Sequence, residues 1–209
     1  MITLKSTQAS KAIEVRCDEN LREQGQWLAD TIAGFEARGG RLGDGVAVEV
    51  GWTTFVLRIQ PDGSLLVYEP EYGADPFKTV RPEVTVSLTI LAAQIDLARS
   101  LTLTPVPCRF DQKLIVRKGV LDSVRIFANR REPKGEDSGW YIGPANGAGE
   151  GPPPKAEDLD SMRLFQLVQR RPEILYALAL PVGYTVVWNG NNIEALADPQ
   201  GRNLWHPTR

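Results

Sequence analysis

The spacing of apolar residues predicts two long amphipathic helices in the first half of the chain. In residues 18–38 the apolar positions recur at helical spacing, at Leu21, Leu28, Ile32 and Phe35. Asp18 is placed to cap this helix, Gly39-Gly40 to end it, and Trp27 with Leu28 to cover a sheet. The same spacing predicts a second helix in residues 83–101, on Val84, Leu88, Leu91, Ile95 and Ala98.

Alternation of apolar and polar residues predicts strands elsewhere. Residues 46–67 alternate in three runs, with a turn at residues 61–63, and Gly51 marks a bulge or a tight bend. Two more strands are predicted at residues 114–116 and 124–127, joined by a turn around Gly119. The tail reads as strands with turns at Asn189-Gly190 and at residues 198–201.

The C-terminal half is predicted to add two helices and one long loop. Residues 157–171 and residues 172–180 show helical spacing, with Pro172 in the first turn of the second helix. Residues 143–157 are rich in Gly and Pro, which predicts a loop. The prolines in residues 104–108 mark a boundary between an N-terminal α/β accessory region, 1–105, and a second domain, 106–209. The predicted class is α+β, with antiparallel sheets covered by helices.

The composition is that of a globular protein and lowers the rank of several classes of function. The chain has 209 residues and a net charge of −2, whereas nucleic-acid-binding domains carry a basic surplus. Cys17 and Cys108 lack metal-ligand spacing and are expected to be reduced and buried. The single histidine, His206, lies near the end, a poor position for a catalytic base. We expect no catalytic residues, no metal site and no cofactor.

The N-terminal residues lack the apolar core of a signal peptide. No stretch is apolar over the roughly 18 residues that a membrane span requires. The expected location is therefore the cytoplasm, with neither a membrane nor a nucleic acid as partner.

The densest cluster of charged, turn-forming and aromatic residues is NRREPKGEDSGWYIG, residues 129–143. Asp137 and Ser138 can hydrogen-bond backbone groups of a turn, and Gly139 permits a positive φ. Glu132 and Asp137 also offer carboxylates of the kind that acid–base catalysis needs, but the adjacent arginines and lysine favour solvated ion pairs. Acid-rich stretches elsewhere would suit a basic partner, and they contain Glu69, Glu71, Asp75, Glu150, Glu157, Asp158 and Asp160.

Over residues 108–209 the chain resembles a bacterial family first described as a domain of unknown function and later grouped with the immunity proteins of polymorphic toxin systems. The family's pattern is an R-E-x-P type turn followed by D-S-G-W, at the end of a strand pair. The matching residues are Arg131, Glu132, Pro133, Asp137, Ser138, Gly139 and Trp140. The Gly/Pro-rich segment after Trp140 departs from that pattern.

The resemblance implies a protein that binds and neutralises a cognate protein toxin. The lack of catalytic histidine, cysteine and metal sets favours a non-enzymatic protein, and the acid-rich stretches favour a basic toxin. We expect Arg131, Glu132, Asp137, Ser138, Gly139 and Trp140 to be the motif or partner-binding residues. Asp137 and Gly139 are expected to shape the turn, and Arg131 and Trp140 to form its exposed side.

Two alternatives stay open at the level of sequence. One is a small hydrolase or transferase that uses Glu132 or Asp137, which requires a pocket that raises the pKa of both carboxyls. The other is a homodimeric scaffold that pairs through the strands of residues 51–68 at a sheet edge.

Overall fold

The structure is a computed structural model that describes residues 1–145 and 154–206, and it confirms the α+β class. The chain forms two compact units, Met1–Ala92 and Ala93–Arg209. The domain boundary expected between residues 105 and 106 stays a prediction. Most of the predicted Gly/Pro loop, residues 146–153, lies outside the described residues.

Six strands form the sheet of the first unit: β1 (Ile2–Ser6), β2 (Ile13–Cys17), β3 (Ala47–Val50), β4 (Thr53–Ile59), β5 (Leu65–Pro70) and β6 (Val80–Arg81). The order is β1-β2-β5-β4-β3, and β6 pairs with β5. β2 and β5 are parallel, and the other neighbours are antiparallel. The apolar alternation of β1 and β2 is short, and both strands are missed at the level of sequence.

Helix α1 (Arg22–Ala37), preceded by a 3₁₀ turn, confirms the first predicted helix. Leu28 is fully buried, but Trp27 is 45% exposed, so the expectation that Trp27 covers the sheet is wrong. Neighbouring residues of a helix point about 100° apart, and burying Leu28 turns Trp27 towards solvent. Asp18 precedes the helix without a side-chain capping hydrogen bond, and the backbone continues past the end of the helix at Gly39 with a φ of +87°.

β3 and β4 form an antiparallel hairpin, and Gly51 lies in its turn with a φ of +61°. Gly51 therefore separates two strands and is not a bulge within one. The turn at residues 61–63 connects β4 and β5 as predicted. Because β4 and β5 lie inside the sheet and β3 lies at its edge, residues 51–68 do not form the edge that a scaffold dimer was expected to use.

Helix α2 (Thr85–Ser100) confirms the second predicted helix, and a buried carboxylate holds its first turn. Glu69 was expected on an acidic surface, but it is fully buried in β5, and its Oε2 accepts the Ser87 N–H at 2.7 Å. Its Oε1 forms an ion pair with Arg81 Nε at 2.9 Å. The cost of burying the charge outweighs this ion pair and raises the pKa of Glu69 to about 7.

The second unit contains a mixed sheet of six strands: β7 (Lys113–Arg117), β8 (Arg125–Arg130), β9 (Asp137–Pro144), β10 (Leu159–Arg163), β11 (Thr185–Asn189) and β12 (Asn192–Ala197). The order is β10-β7-β9-β8-β11-β12. β7 and β9 are parallel, and the other pairs are antiparallel. The predicted strands at 114–116 and 124–127 are confirmed, but they are not neighbours, because β9 lies between them.

Residues 157–171 do not form the predicted helix. Leu159–Arg163 is instead strand β10, and after a 3₁₀ turn only one helical turn follows, α3 (Leu167–Arg170). The helical spacing of these residues is overridden because β7 offers β10 a complete ladder of backbone partners. The next helix, α4 (Pro172–Leu175), begins at Pro172 as predicted but ends after one turn.

The segment of residues 164–180 covers one face of this sheet. Its buried apolar side chains are Leu164, Leu167, Ile174, Leu175, Ala177, Leu178, Ala179 and Leu180. The second half of α2 is tied to this segment by Gln94, whose Nε2 donates to the Leu175 carbonyl at 2.9 Å. The hairpin at Asn189-Gly190 and the turn at residues 198–201 are confirmed.

Candidate functional site

The motif turn, residues 131–136, connects β8 to β9, and all six of its residues are exposed. Its tip is a two-residue loop of Gly135 and Glu136, closed by paired backbone hydrogen bonds of 3.1 and 3.0 Å between Lys134 and Asp137. Gly135 has a φ of +60°, which two-residue hairpin loops require at their first position in the type II′ form. The sequence thus builds a tight, outward-pointing hairpin.

Gly139 lets the two arms of this hairpin approach each other. The Arg131 N–H donates to the Gly139 carbonyl at 2.8 Å, and the Gly139 N–H donates to Asp137 Oδ1, also at 2.8 Å. Gly139 has a φ of +81°, and a Cβ at this position would lie 2.1 Å from the Arg131 carbonyl oxygen. Asp137 and Gly139 therefore shape the turn, as their residue types predicted.

Ser138 and Trp140 point to the opposite side of β9 and are buried. The expectation that Trp140 lies on the exposed side is wrong, because only 1% of it is exposed. Its indole Nε1 donates to the Leu178 carbonyl at 3.1 Å. Strand alternation explains the result: once Asp137 and Gly139 face the turn, Ser138 and Trp140 must face the core.

Arg130 is a structural residue that sequence reasoning missed. It is 3% exposed, and its Nη1 donates to the carbonyls of Val106 and Leu180, each at 2.6 Å. Its guanidinium carbon lies 5.9 Å from the centre of the Trp140 ring. The available signal was the alternation of β8, which places Arg130 on the same face as Ile126 and Ala128.

Cys108 contacts the same carbonyl as Trp140: its Sγ lies 3.4 Å from the Leu178 carbonyl oxygen. Burial raises the pKa of this thiol to about 11, so it carries a proton at neutral pH. Both cysteines are free and buried, as predicted.

The two carboxylates of the hydrolase alternative have different surroundings. Glu132 is exposed in the motif turn, whereas Asp137 is half-buried and its carboxylate accepts a backbone hydrogen bond. Glu136, the residue before Asp137, accepts a hydrogen bond from Lys113 at 2.9 Å, which lowers the pKa of Glu136. The carboxylate of Asp137 therefore serves the backbone geometry of the turn, and that of Glu136 serves a surface ion pair.

The acid-rich stretches form a weaker negative surface than expected. Glu69 is buried, Asp75 pairs with Lys78 at 3.2 Å, and Glu157 pairs with Lys155 at 3.6 Å. Glu150 lies outside the described residues.

Within residues 1–145 and 154–206, no group of three or more His, Cys, Asp or Glu side chains is placed to hold a metal ion. His206 is exposed. A search of the same residues finds no helix of the length and apolar character that crossing a membrane demands.

Comparison with known proteins gives one finding on family. A family model described as Imm33-like domain matches residues 93–199, which is half of the chain and includes β7 to β12. No curated protein and no solved structure matches the chain.

Proposed function

We propose, from the premise that this chain belongs to the Imm33-like domain family, that it is an immunity-type protein that binds a cognate protein toxin. Binding would block the active site of the toxin or the access of its substrate, without any reaction catalysed by the chain itself. The observation that carries this proposal is the motif turn, which lies inside the family match and presents six exposed residues on a hydrogen-bonded base.

The hydrogen bonds that hold the turn together suit a binding role. Association costs free energy for every loop that must be ordered, and a preorganised loop reduces this cost. Here Gly139, Asp137 and the paired hydrogen bonds of Lys134 hold the turn before any partner arrives.

The motif residues therefore divide into two roles in the proposed complex. Arg131 and Glu132 are exposed and contact the toxin. Asp137, Ser138, Gly139 and Trp140 hold the turn and contribute through its shape. The proposed place of action is the cytoplasm of the bacterial cell that carries the chain.

The test begins with capture of proteins from the host on the tagged chain. A toxin-like domain captured in stoichiometric amount is then produced in a sensitive strain, alone and together with the chain. We expect growth arrest with the toxin domain alone and growth when the chain is present.

The matched variants are the double substitution Arg131→Ala with Glu132→Ala, and Arg99→Ala as the control on exposed α2 surface. We expect the double variant to protect less than the unaltered chain and the control to protect equally. Growth arrest that persists in the presence of the folded, unaltered chain would show that the immunity function is wrong.

A further inference from the structure

We propose that the toxin binds on the open face of the second unit's sheet and presents an acidic surface there; this inference rests on the function proposed above. The open face is the side of the sheet opposite the buried Arg130, Trp140 and Ile142. It continues into the motif turn at the ends of β8 and β9.

Strand pairing defines the residues that share this face. Ile115, Tyr141, Asn129 and Thr185 lie side by side across four strands. All four are half-buried, whereas the residues before and after each of them within its strand are buried or turned to the core side. The Asn129 Nδ2 donates to Thr185 Oγ1 at 2.8 Å, a contact that joins neighbours within the sheet.

An aromatic pair lies at the centre of the open face. The ring centres of Phe127 and Tyr141 are 5.7 Å apart, at an angle of 64°. Gly143 leaves room for them, because a Cβ there would lie 2.8 Å from the Tyr141 hydroxyl and 2.9 Å from the Phe127 ring. Tyrosine and arginine are enriched among the residues that dominate the binding energy at protein interfaces. The half-exposed aromatic pair and the arginines around it match this composition.

The charges around the aromatic pair are mostly positive. The exposed cations on the open face include Lys113, Arg117, Arg125 and Arg131. Lys113 forms an ion pair with Glu136 at 2.9 Å, and Arg125 forms one with Glu194 at 2.5 Å. No ion pair of Arg117 or of Arg131 is found among residues 1–145 and 154–206. The carboxylate of Asp137 is on the same face, but it accepts the Gly139 N–H.

These observations favour an acidic partner surface over the basic one expected from the acid-rich stretches. Arg117 and Arg131, which have no ion pair with any residue that the structure describes, lie at opposite ends of the aromatic pair. An acidic surface would neutralise both while its apolar atoms cover the rings. A basic surface would meet like charges at both ends.

Two adjacent exposed positions, 131 and 132, test whether the partner surface is acidic or basic. Arg131→Glu and Glu132→Lys reverse charges of opposite sign at the same place, and Arg99→Glu is the control on α2. Affinity for the captured toxin domain is measured by calorimetry. We expect Arg131→Glu to weaken binding at least about tenfold and Glu132→Lys to strengthen it about threefold, with no change for the control. The opposite order of the two variants would overturn the acidic partner.

The aromatic centre is tested by Tyr141→Ala. The matched control is Tyr176→Ala, a tyrosine of the covering segment that is also half-buried. We expect at least about tenfold weaker binding for Tyr141→Ala and no change for Tyr176→Ala, with thermal unfolding of both variants recorded alongside. A folded Tyr141→Ala variant with full affinity would overturn the open face while leaving the immunity function intact.

A second probe does not depend on the toxin. The ¹⁵N-labelled chain is titrated with a hexaglutamate peptide and, separately, with a hexalysine peptide. We expect hexaglutamate to shift the amide resonances of residues 113–117, 125–131 and 137–143, and hexalysine to leave them in place. If hexaglutamate shifts other regions instead, the surface is wrong whether or not a toxin is neutralised.

Discussion

Gly139 is the residue on which the geometry of the motif depends most directly. Two separate constraints meet there: a backbone conformation with φ of +81°, and a neighbouring carbonyl that leaves no room for a side chain. Gly135, at the tip of the same turn, has the first constraint without the second, because nothing lies within 4 Å of the place of its Cβ. Substitutions at Gly139 and Gly135 therefore separate the cost of the backbone conformation from the cost of the close contact with the carbonyl.

We expect Gly139→Ala to lower the free energy of unfolding by at least about 2 kcal/mol, since it adds a backbone clash to the conformational strain. Gly135→Ala should cost about 1 kcal/mol, the strain alone. Denaturant unfolding of both variants measures the difference. Equal losses would mean that the close approach to Arg131 does not constrain position 139.

At the scale of elements, the first turn of α2 depends on the protonation of Glu69. Its pKa is raised above the ordinary value of 4.5 to about 7, so the folded chain takes up a proton that the unfolded chain releases. The contribution of this group to stability is therefore complete below pH 4.5, declines as the pH rises to 7, and is constant above that.

From this shift we expect the chain to lose up to about 3 kcal/mol of stability between pH 5 and pH 8 through Glu69. Glu69→Gln keeps the acceptor for the Ser87 N–H but cannot ionise, so its stability should vary less over the same range. Chemical unfolding at several pH values compares the two proteins. Carboxyls with lowered pKa values, such as Glu36 and Glu136, act only at lower pH and do not enter this window. Parallel pH profiles for the two proteins would contradict the assignment to Glu69.

Elements with local signals could be predicted from the sequence, and elements that depend on distant partners could not. Helix α1 ends just before Gly39-Gly40, and the Asn189-Gly190 hairpin is formed by neighbouring residues, so both were predicted. Strand β10 has helical spacing, and only its pairing with β7 makes it a strand. The site shows the same division, because Asp137 and Gly139 act on adjacent backbone, while Trp140 and Arg130 bind carbonyls about 25 to 50 residues away.

At the scale of the whole molecule, the family match begins at residue 93, where the second compact unit begins, and not at residue 106. The additional residues include Gln94, which donates to the Leu175 carbonyl, and Ala98, which is buried. We therefore expect the second half of α2 to belong to the folded second unit.

The two boundaries are compared in fragments 93–209 and 106–209. We expect the shorter fragment to unfold at least about 4 °C lower, because it loses a buried hydrogen bond and leaves the Leu175 carbonyl without its donor. Thermal unfolding followed by circular dichroism measures both. Equal midpoints would favour the boundary marked by the prolines.

Strand β9 and its neighbours β7 and β8 are synthesised before the segment that covers them, and this sets an order of folding events during synthesis. The β8–β9 hairpin closes through local contacts in roughly 1–10 μs, far faster than a ribosome adds the next residue. The covering segment of residues 164–180 is synthesised later, so the side chains of Trp140 and Ile142 are exposed to water in the nascent chain until then. We expect the chain to be most prone to aggregation and to chaperone binding during this interval, before it has folded into a form that can bind a toxin.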